Sequence, residues 1–205
     1  MKTIMIVNPK GGSGKTTLSV NIAAYLANRG KQVALLDMDL QQSATLWLSK
    51  RPTDLPQIRA MKYDQAGPSN WMVIDSAAGQ SGSNLAYSLI KKTDKIIVPV
   101  VPSLFDLDAS NEFLQTLVEE KKARESRCRI GVIGMRMEAR TRAAQALEYF
   151  LSTLNLPVLA YLRETQIYVN AAFEGKSLFD LPHHVAKHDL EQWAYLQDWL
   201  LKDQL

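Results

Sequence analysis

Cysteine is nearly missing from these 205 residues. Cys128 stands alone, which excludes an internal disulfide and any metal or iron–sulfur centre built from clustered thiolates. No uninterrupted apolar run approaches the length of a membrane span. The N-terminus passes straight into an apolar run, so no signal peptide is expected, and the cysteine usage fits a reducing cytosol. Internal repeats and low-complexity stretches are absent. The formal charge is only +3, with 22% charged and 46% apolar residues, the balance of an ordinary soluble globule. Histidine is scarce too. His184 and His188 are spaced i, i+4, but with His183 they lack a third spaced ligand or an acidic motif, and a surface role is expected. The length suits one α/β domain, residues 1–205, with a sizeable core.

What is present begins with Lys10-Gly11-Gly12-Ser13-Gly14-Lys15-Thr16-Thr17. The run Thr3 to Val7 before it is apolar and partly β-branched, as in a buried strand. After it, Leu18, Ile22, Tyr25 and Leu26 recur on one helical face. Strand, glycine-rich loop and helix in that order make a phosphate-binding loop. Its glycines let successive N–H groups face a polyphosphate, and the helix N-terminus adds partial positive charge. Lys15 would neutralise the outer phosphates and the Thr16 hydroxyl would ligate Mg²⁺.

Two further apolar strands end in carboxylates, where open parallel sheets bind ligands. Val33 to Leu36 leads to Asp37 and Asp39, which on a regular strand would share one face. Beside a Mg-nucleotide, one can hold the metal's water shell while the other orients an attacking water. Trp71 to Ile74 leads to Asp75, placed to hold Mg²⁺ through water. The small residues Ser76-Ala77-Ala78-Gly79 then allow close approach to a γ-phosphate. On these three elements alone a kinase, a synthetase and a partition ATPase all remain open.

Position 9 of the loop is proline rather than the usual first glycine, and Lys10 follows it. This resembles the deviant phosphate loop of the ParA/MinD family, Lys-Gly-Gly-x-Gly-Lys-Thr/Ser, and the likeness extends over nearly the whole chain. It is nearest to the small ParF-like partition ATPases, which carry no N-terminal DNA-binding extension. The resemblance implies that Lys10 reaches across an ATP-sandwich homodimer to the partner's phosphates, and that the loop after Asp75 senses the γ-phosphate. The segment from Asp37 to Gln41 is similar to the family's Asp-x-Asp-Pro-Gln, with Leu40 in place of proline. By that match Asp39 positions water and Asp37 serves Mg²⁺. Arg136, ending a strand from Arg129 to Met135, falls where relatives contact adenine.

The remaining pattern alternates strands and helices, implying a doubly wound, mainly parallel sheet with helices on both faces. Short helices are expected at 43–50 and 84–92, with an edge strand near 58–61. A strand is expected at 95–102, whose prolines suit an end or exit from the sheet rather than a central ladder. Longer helices are expected at 104–124, with Phe113, Leu114, Leu117 and Val118 inward, and at 141–154. A strand at 157–162, another helix, a turn at 174–177 and one last helix at 185–200 complete the chain.

Charge is unevenly spread. From Lys121 to Arg142 the chain carries eight cations against Glu125 and Glu138, twice the surplus of the whole molecule. Such clustering suits a polyanion. Lys121, Lys122, Arg124, Arg127, Arg140 and Arg142, with Lys176 and Lys187, are the candidate DNA contacts. The family reading is an Mg-dependent ATPase, weak alone, whose ATP dimer binds nonspecific duplex DNA. A centromere-binding or cargo-adaptor protein of the ParB/ParG kind would stimulate hydrolysis. The expected location is cytoplasmic, on the nucleoid in the ATP form. A MinD-like membrane-surface ATPase is the alternative, but Glu191, Asp198 and Asp203 against Lys202 oppose binding to anionic lipid, so no membrane is expected.

Overall fold

Strands that are apolar on both faces need cover on both faces, which helical crossovers between parallel strands provide. The protein is described here by a computed structural model covering residues 1–61, 69–79, 88 and 91–202, with the side chains of residues 105 and 106 excepted. Seven strands lie in one sheet among the described residues. They are β1 (Lys2–Ile6), β2 (Val33–Asp37), β3 (Arg59–Met61), β4 (Trp71–Asp75), β5 (Lys95–Val100), β6 (Arg129–Met137) and β7 (Val158–Arg163). Their order is β3-β2-β4-β1-β5-β6-β7 and every pairing is parallel. Because β4 inserts between β2 and β1, the carboxyl ends of these three strands stand side by side.

Alternation along the strands feeds two cores. Ile4, Ile6, Leu35, Val73 and Ile133 face α1 (Lys15–Asn28) and α2 (Ser43–Ser49), together with the C-terminal helices. Met5, Val7, Ile96, Val98 and Val132 face α3 (Leu104–Ala123) and α4 (Arg142–Thr153). The helix α5 (Gln166–Phe173), a 3₁₀ turn at Leu178–Asp180, α6 (His183–Gln192) and α7 (Ala194–Leu201) complete the first face.

Some expectations change. The last helix is two, broken at Trp193, whose indole is fully buried and packs edge-on to Phe179 at 5.3 Å. Val118 lies at the margin of α3, 37% exposed, while Phe113, Leu114 and Leu117 are buried. Pro99 is next to last in β5, past the β1 ladder but still paired with Ile133 on β6. The missing N–H is tolerated because β1 stops pairing with β5 at Ile6–Ile97, so nothing on that side awaits a donor. Of the helix expected over 84–92, Ser88, Lys91 and Lys92 are helical and the rest lies outside the described residues.

The C-terminal side is locked by a buried ion pair. Arg51 forks onto Asp180 through both terminal nitrogens, at 3.0 and 3.1 Å, and its Nε donates to the Pro56 carbonyl. Asp180 also accepts from Asn28 and from the N–H and hydroxyl of Ser177. Burial alone would raise its pKa; the hydrogen bonds from Arg51, Ser177 and Asn28 outweigh that and hold it below the usual value. Asp180→Ala leaves the Arg51 guanidinium buried without its counter-charge, so a loss of about 3–5 kcal/mol is expected in chemical denaturation. The pair's contribution is complete above the unfolded carboxyl value of about 3.9 and is lost as pH falls through the lower folded one.

Candidate functional site

The ladder of β1 ends as Val7 donates to the Ile97 carbonyl at 3.0 Å, and the chain turns into the glycine loop. Gly12 and Gly14 sit at φ 74 and 93, backbone that a side chain rarely adopts. At Gly14 a Cβ would also lie 2.7 Å from Met135 Cε, so the end of that flexible side chain would have to shift. Gly14 precedes α1 and no side chain caps that helix. Its first N–H groups are therefore left to an anion.

Lys15 is buried and its ammonium donates to the Lys10 carbonyl at 2.8 Å. Desolvation lowers its pKa, against the attraction of Asp75 and Asp39. The next residue, Thr16, donates from Oγ1 to Asp75 Oδ2 at 2.7 Å, and Ser19 Oγ, about one turn on, donates to Oδ1 at 3.1 Å. Asp75 has no exposed surface. Burial pushes its carboxyl up to about 6 despite those two hydroxyls, and Asp37 adds to the rise. The two aspartates are register partners at the ends of β2 and β4.

Asp37 is the last residue of β2 and Asp39 lies past it, so they do not share a strand face. Asp37 spends both oxygens on backbone, accepting from the N–H groups of Asp39 and Thr45 at 3.1 and 2.9 Å. This sets the loop into α2. Among the described residues Asp39 accepts only from the Gln41 N–H at 3.0 Å, and it lines a cavity of about 470 Å³. The opposite wall runs from Gly11 to Thr17, and Ala77, Ala78 and Arg136 close the rim. Lys10 is not among the lining residues. Arg136 follows a register shift in β6, has φ 52, and lies 3.8 Å from Glu164 with both side chains 57% exposed.

The donor set fits Mg-nucleotide. A hydroxyl and a carboxylate oxygen 2.7 Å apart are hard oxygen ligands, and they flank an uncapped helix N-terminus. The hydroxyl of Ser76, the residue after Asp75, is buried with no hydrogen-bond partner among the described residues. Ser19 was not singled out from the sequence, although its i, i+3 spacing from Thr16 puts both hydroxyls on one face. Ser110 and Pro99, which hold the loop from behind, had no readable signal.

The basic residues are divided rather than gathered. Lys121 and Lys122 end α3, and with Arg124 and Arg127 they lie at the amino end of β6. Arg140 and Arg142 lie at its carboxyl end, roughly 30 Å away along nine residues of strand. Arg124 reaches Glu120 at 3.7 Å. Lys176 pairs with Glu174 at 2.7 Å, and its carbonyl accepts the Trp47 indole N–H. Lys187 is exposed on α6.

Residues 4–179 match the CobQ/CobB/MinD/ParA nucleotide binding domain. The chain is 29% identical over 190 residues to the maintenance of carboxysome distribution protein A of Halothiobacillus neapolitanus, covering 87% of each. It is 28% identical over 185 residues to the chromosome-partitioning ATPase Soj of Thermus thermophilus, covering 72% of this chain and 74% of that one. In fold it is similar to an alanine variant of Cyanothece McdA in complex with ATP. The TM-score is 0.77 at 18% identity, over 100% of this chain and 98% of the other.

Asp75 gives this site a pH signature. A carboxyl near 6 in the fold and about 3.9 unfolded makes the nucleotide-free chain less stable as pH rises between those values. Asp75→Asn is expected to raise its unfolding free energy at pH 7.5 by up to about 3 kcal/mol and to flatten that slope. A thermal midpoint unchanged or lowered at pH 7.5 would mean that burial of the charge is not what the fold resists.

Proposed function

The chain belongs to the CobQ/CobB/MinD/ParA nucleotide-binding domain family, and from that premise we propose that it is a ParA-type Mg-dependent ATPase. On this reading it forms an ATP-sandwich dimer, binds DNA without sequence preference, and positions a cargo. One observation carries it: two lysines of one loop hold different stations. Lys15 is turned inward onto the loop's own carbonyl, whereas Lys10 does not line the cavity. A lysine supplied from outside a site is what a second copy would contribute.

The chain's own groups divide the work. N–H groups from Gly11 to Thr17 bind the phosphates, and Lys15 neutralises the outer ones. Thr16 and Asp75 would hold Mg²⁺, with Asp37 behind them on its water shell. The metal when bound neutralises charge on the transferring phosphoryl group. Asp39 faces the cavity and orients the attacking water, while Ala77 and Ala78 leave room at the γ-phosphate. The partner's Lys10 would add positive charge where negative charge develops. Arg136 is placed at the rim to pack on the base.

The ATP dimer would engage duplex DNA through backbone phosphates, the eight lysines and arginines named above being the candidates. An adaptor of the ParB/ParG kind would stimulate hydrolysis and release the dimer. The working compartment is the cytoplasm, on the nucleoid in the ATP form. On the membrane-surface alternative, Trp193, Trp199 and Leu200 would have to serve a bilayer, but all three are buried against the sheet.

Lys15→Ala is expected to abolish ATP binding in a fluorescent-nucleotide titration. With Mg-ATP the intact chain should bind random duplex DNA tightly, and weakly with Mg-ADP or no nucleotide. The logarithm of affinity should fall with that of salt at a slope of about −0.9 per phosphate neutralised. Equal binding in all nucleotide states, or none, overturns the carrier reading. Asp39→Ala should accumulate the ATP dimer in sedimentation; wild-type turnover in that variant removes its assigned role.

A further inference from the structure

Asn8 is a polar side chain in the core, 1% exposed, where an unmet amide is costly. Its Nδ2 donates to the Pro99 carbonyl at 2.7 Å and to Ser110 Oγ at 3.0 Å. Its Oδ1 accepts the Lys10 N–H at 2.8 Å. Neither brace belongs to the nucleotide loop. Pro99 lies on β5 just past the last β1 pairing, and Ser110 is fully buried within α3. Lys10 is held from its other end as well, since its carbonyl accepts from Lys15 Nζ and, at 3.2 Å, from Ser13 Oγ. The Pro9 carbonyl between them accepts the Gly79 N–H at 2.7 Å. Residues 8–10 are thus fixed by β5, by α3 and by the loop after Asp75. Only the Lys10 side chain is left without a hydrogen bond or ion pair among the described residues.

We propose that Asn8, braced by Ser110 and Pro99, is a positioning residue for Lys10. It fixes the backbone of residues 8–10 so that the Lys10 ammonium leaves the loop clear of its own cavity and is presented to the nucleotide of a second copy. The inference rests on the reading of Lys10 given above. The physical need is leverage, because a small rotation at the Lys10 backbone displaces an ammonium at the end of a four-carbon stem by much more. The amide has the right chemistry for the post: it must donate twice, to a carbonyl and a hydroxyl, and accept once from an N–H. Aspartate cannot make the two donations, and a small side chain cannot span the gap.

The test is a mutant cycle read by fluorescent-nucleotide affinity and steady-state ATP turnover over a range of protein concentrations. Asn8→Ala is expected to lower kcat about ten- to hundredfold while nucleotide Kd stays within about threefold. In a Lys10→Ala background, adding Asn8→Ala should change kcat by less than about twofold, because the group it positions is gone. Ser110→Ala removes one brace and should reproduce the pattern at about threefold. If Asn8→Ala does not fold, Ser110→Ala carries the same cycle. Effects that multiply in the double variant, or a Kd that weakens as much as kcat falls, overturn the positioning role alone. A Lys10→Ala variant with wild-type turnover overturns the reading of Lys10, and the positioning role with it.

Discussion

A carboxylate with no exposed surface is held between two hydroxyls of one helix, Asp75 between Thr16 and Ser19. Most of the site follows from that contact. It draws the first turn of α1 over the end of β4, so the uncapped N–H groups of α1 open beside the strand carboxylates. An ionised carboxyl in that position is opposed by desolvation, and two neutral hydroxyls do not remove the penalty, which is why its pKa rises to about 6. Lys15, whose charge acts on Asp75, gives a hydrogen bond to a carbonyl of the loop. The nucleotide-free site therefore has an unmet demand for positive charge next to Asp75 and for negative charge at the helix N-terminus. A phosphate-bound divalent cation meets both demands at once, and the first would not exist if the carboxylate were solvated.

Support for this arrangement comes from both faces of the sheet. On one, α1 is buried along nearly its whole length against β1, β2, β4 and the C-terminal helices. On the other, α3 supplies Ser110 to the loop through Asn8. The C-terminal side is attached at separate points: the Arg51–Asp180 fork, the Leu178 N–H on Asn21 Oδ1, and the Trp47 indole on the Lys176 carbonyl. Asn21 and Asn28 both lie on α1, and Trp47 and Arg51 lie on α2 or just after it. The turn at 174–180 is thus tied to the helix that follows the phosphate loop and to the one that follows Asp39. It has no ladder of its own and depends on them for its position.

Much of the fold was legible because strand and helix alternate with short, well-marked turns. The phosphate loop was legible because its chemistry requires particular residues at fixed spacing. What escaped the sequence depends on three-dimensional partners. Pro99 reads as a strand end because a proline cannot donate to a ladder; that β1 stops pairing two residues earlier, at Ile97, while β6 pairs on through Val100, is a matter of register. The break at Trp193 is invisible to periodicity, since Val185 to Leu200 keeps an apolar face throughout. It is made by packing the indole against Phe179 with its N–H on the Tyr168 hydroxyl. Asp37 and Asp39 read as sharing one strand face, yet the strand stops between them. One becomes a backbone anchor and the other faces the cavity.

The division of the basic cluster has the same origin and a larger consequence. Lys121 to Arg142 is contiguous in sequence, but β6 runs through the middle of it, and a strand separates its ends by its own length. Arg136, Arg140 and Arg142 emerge at the carboxyl edge beside the phosphate loop, two of them from left-handed backbone at φ 52 and 68. Lys121 to Arg127 emerge at the opposite edge. In the proposed dimer joined through its nucleotides, the carboxyl edges of the two copies would approach each other. The carboxyl-edge arginines would then lie nearer their symmetry mates than the amino-edge group, raising the local charge in the proposed ATP dimer. The amino-edge group would be carried along at unchanged local charge, so it could add to affinity but could not by itself make that affinity depend on the nucleotide. Dependence on ATP and strength of binding would therefore reside on different edges of the same sheet.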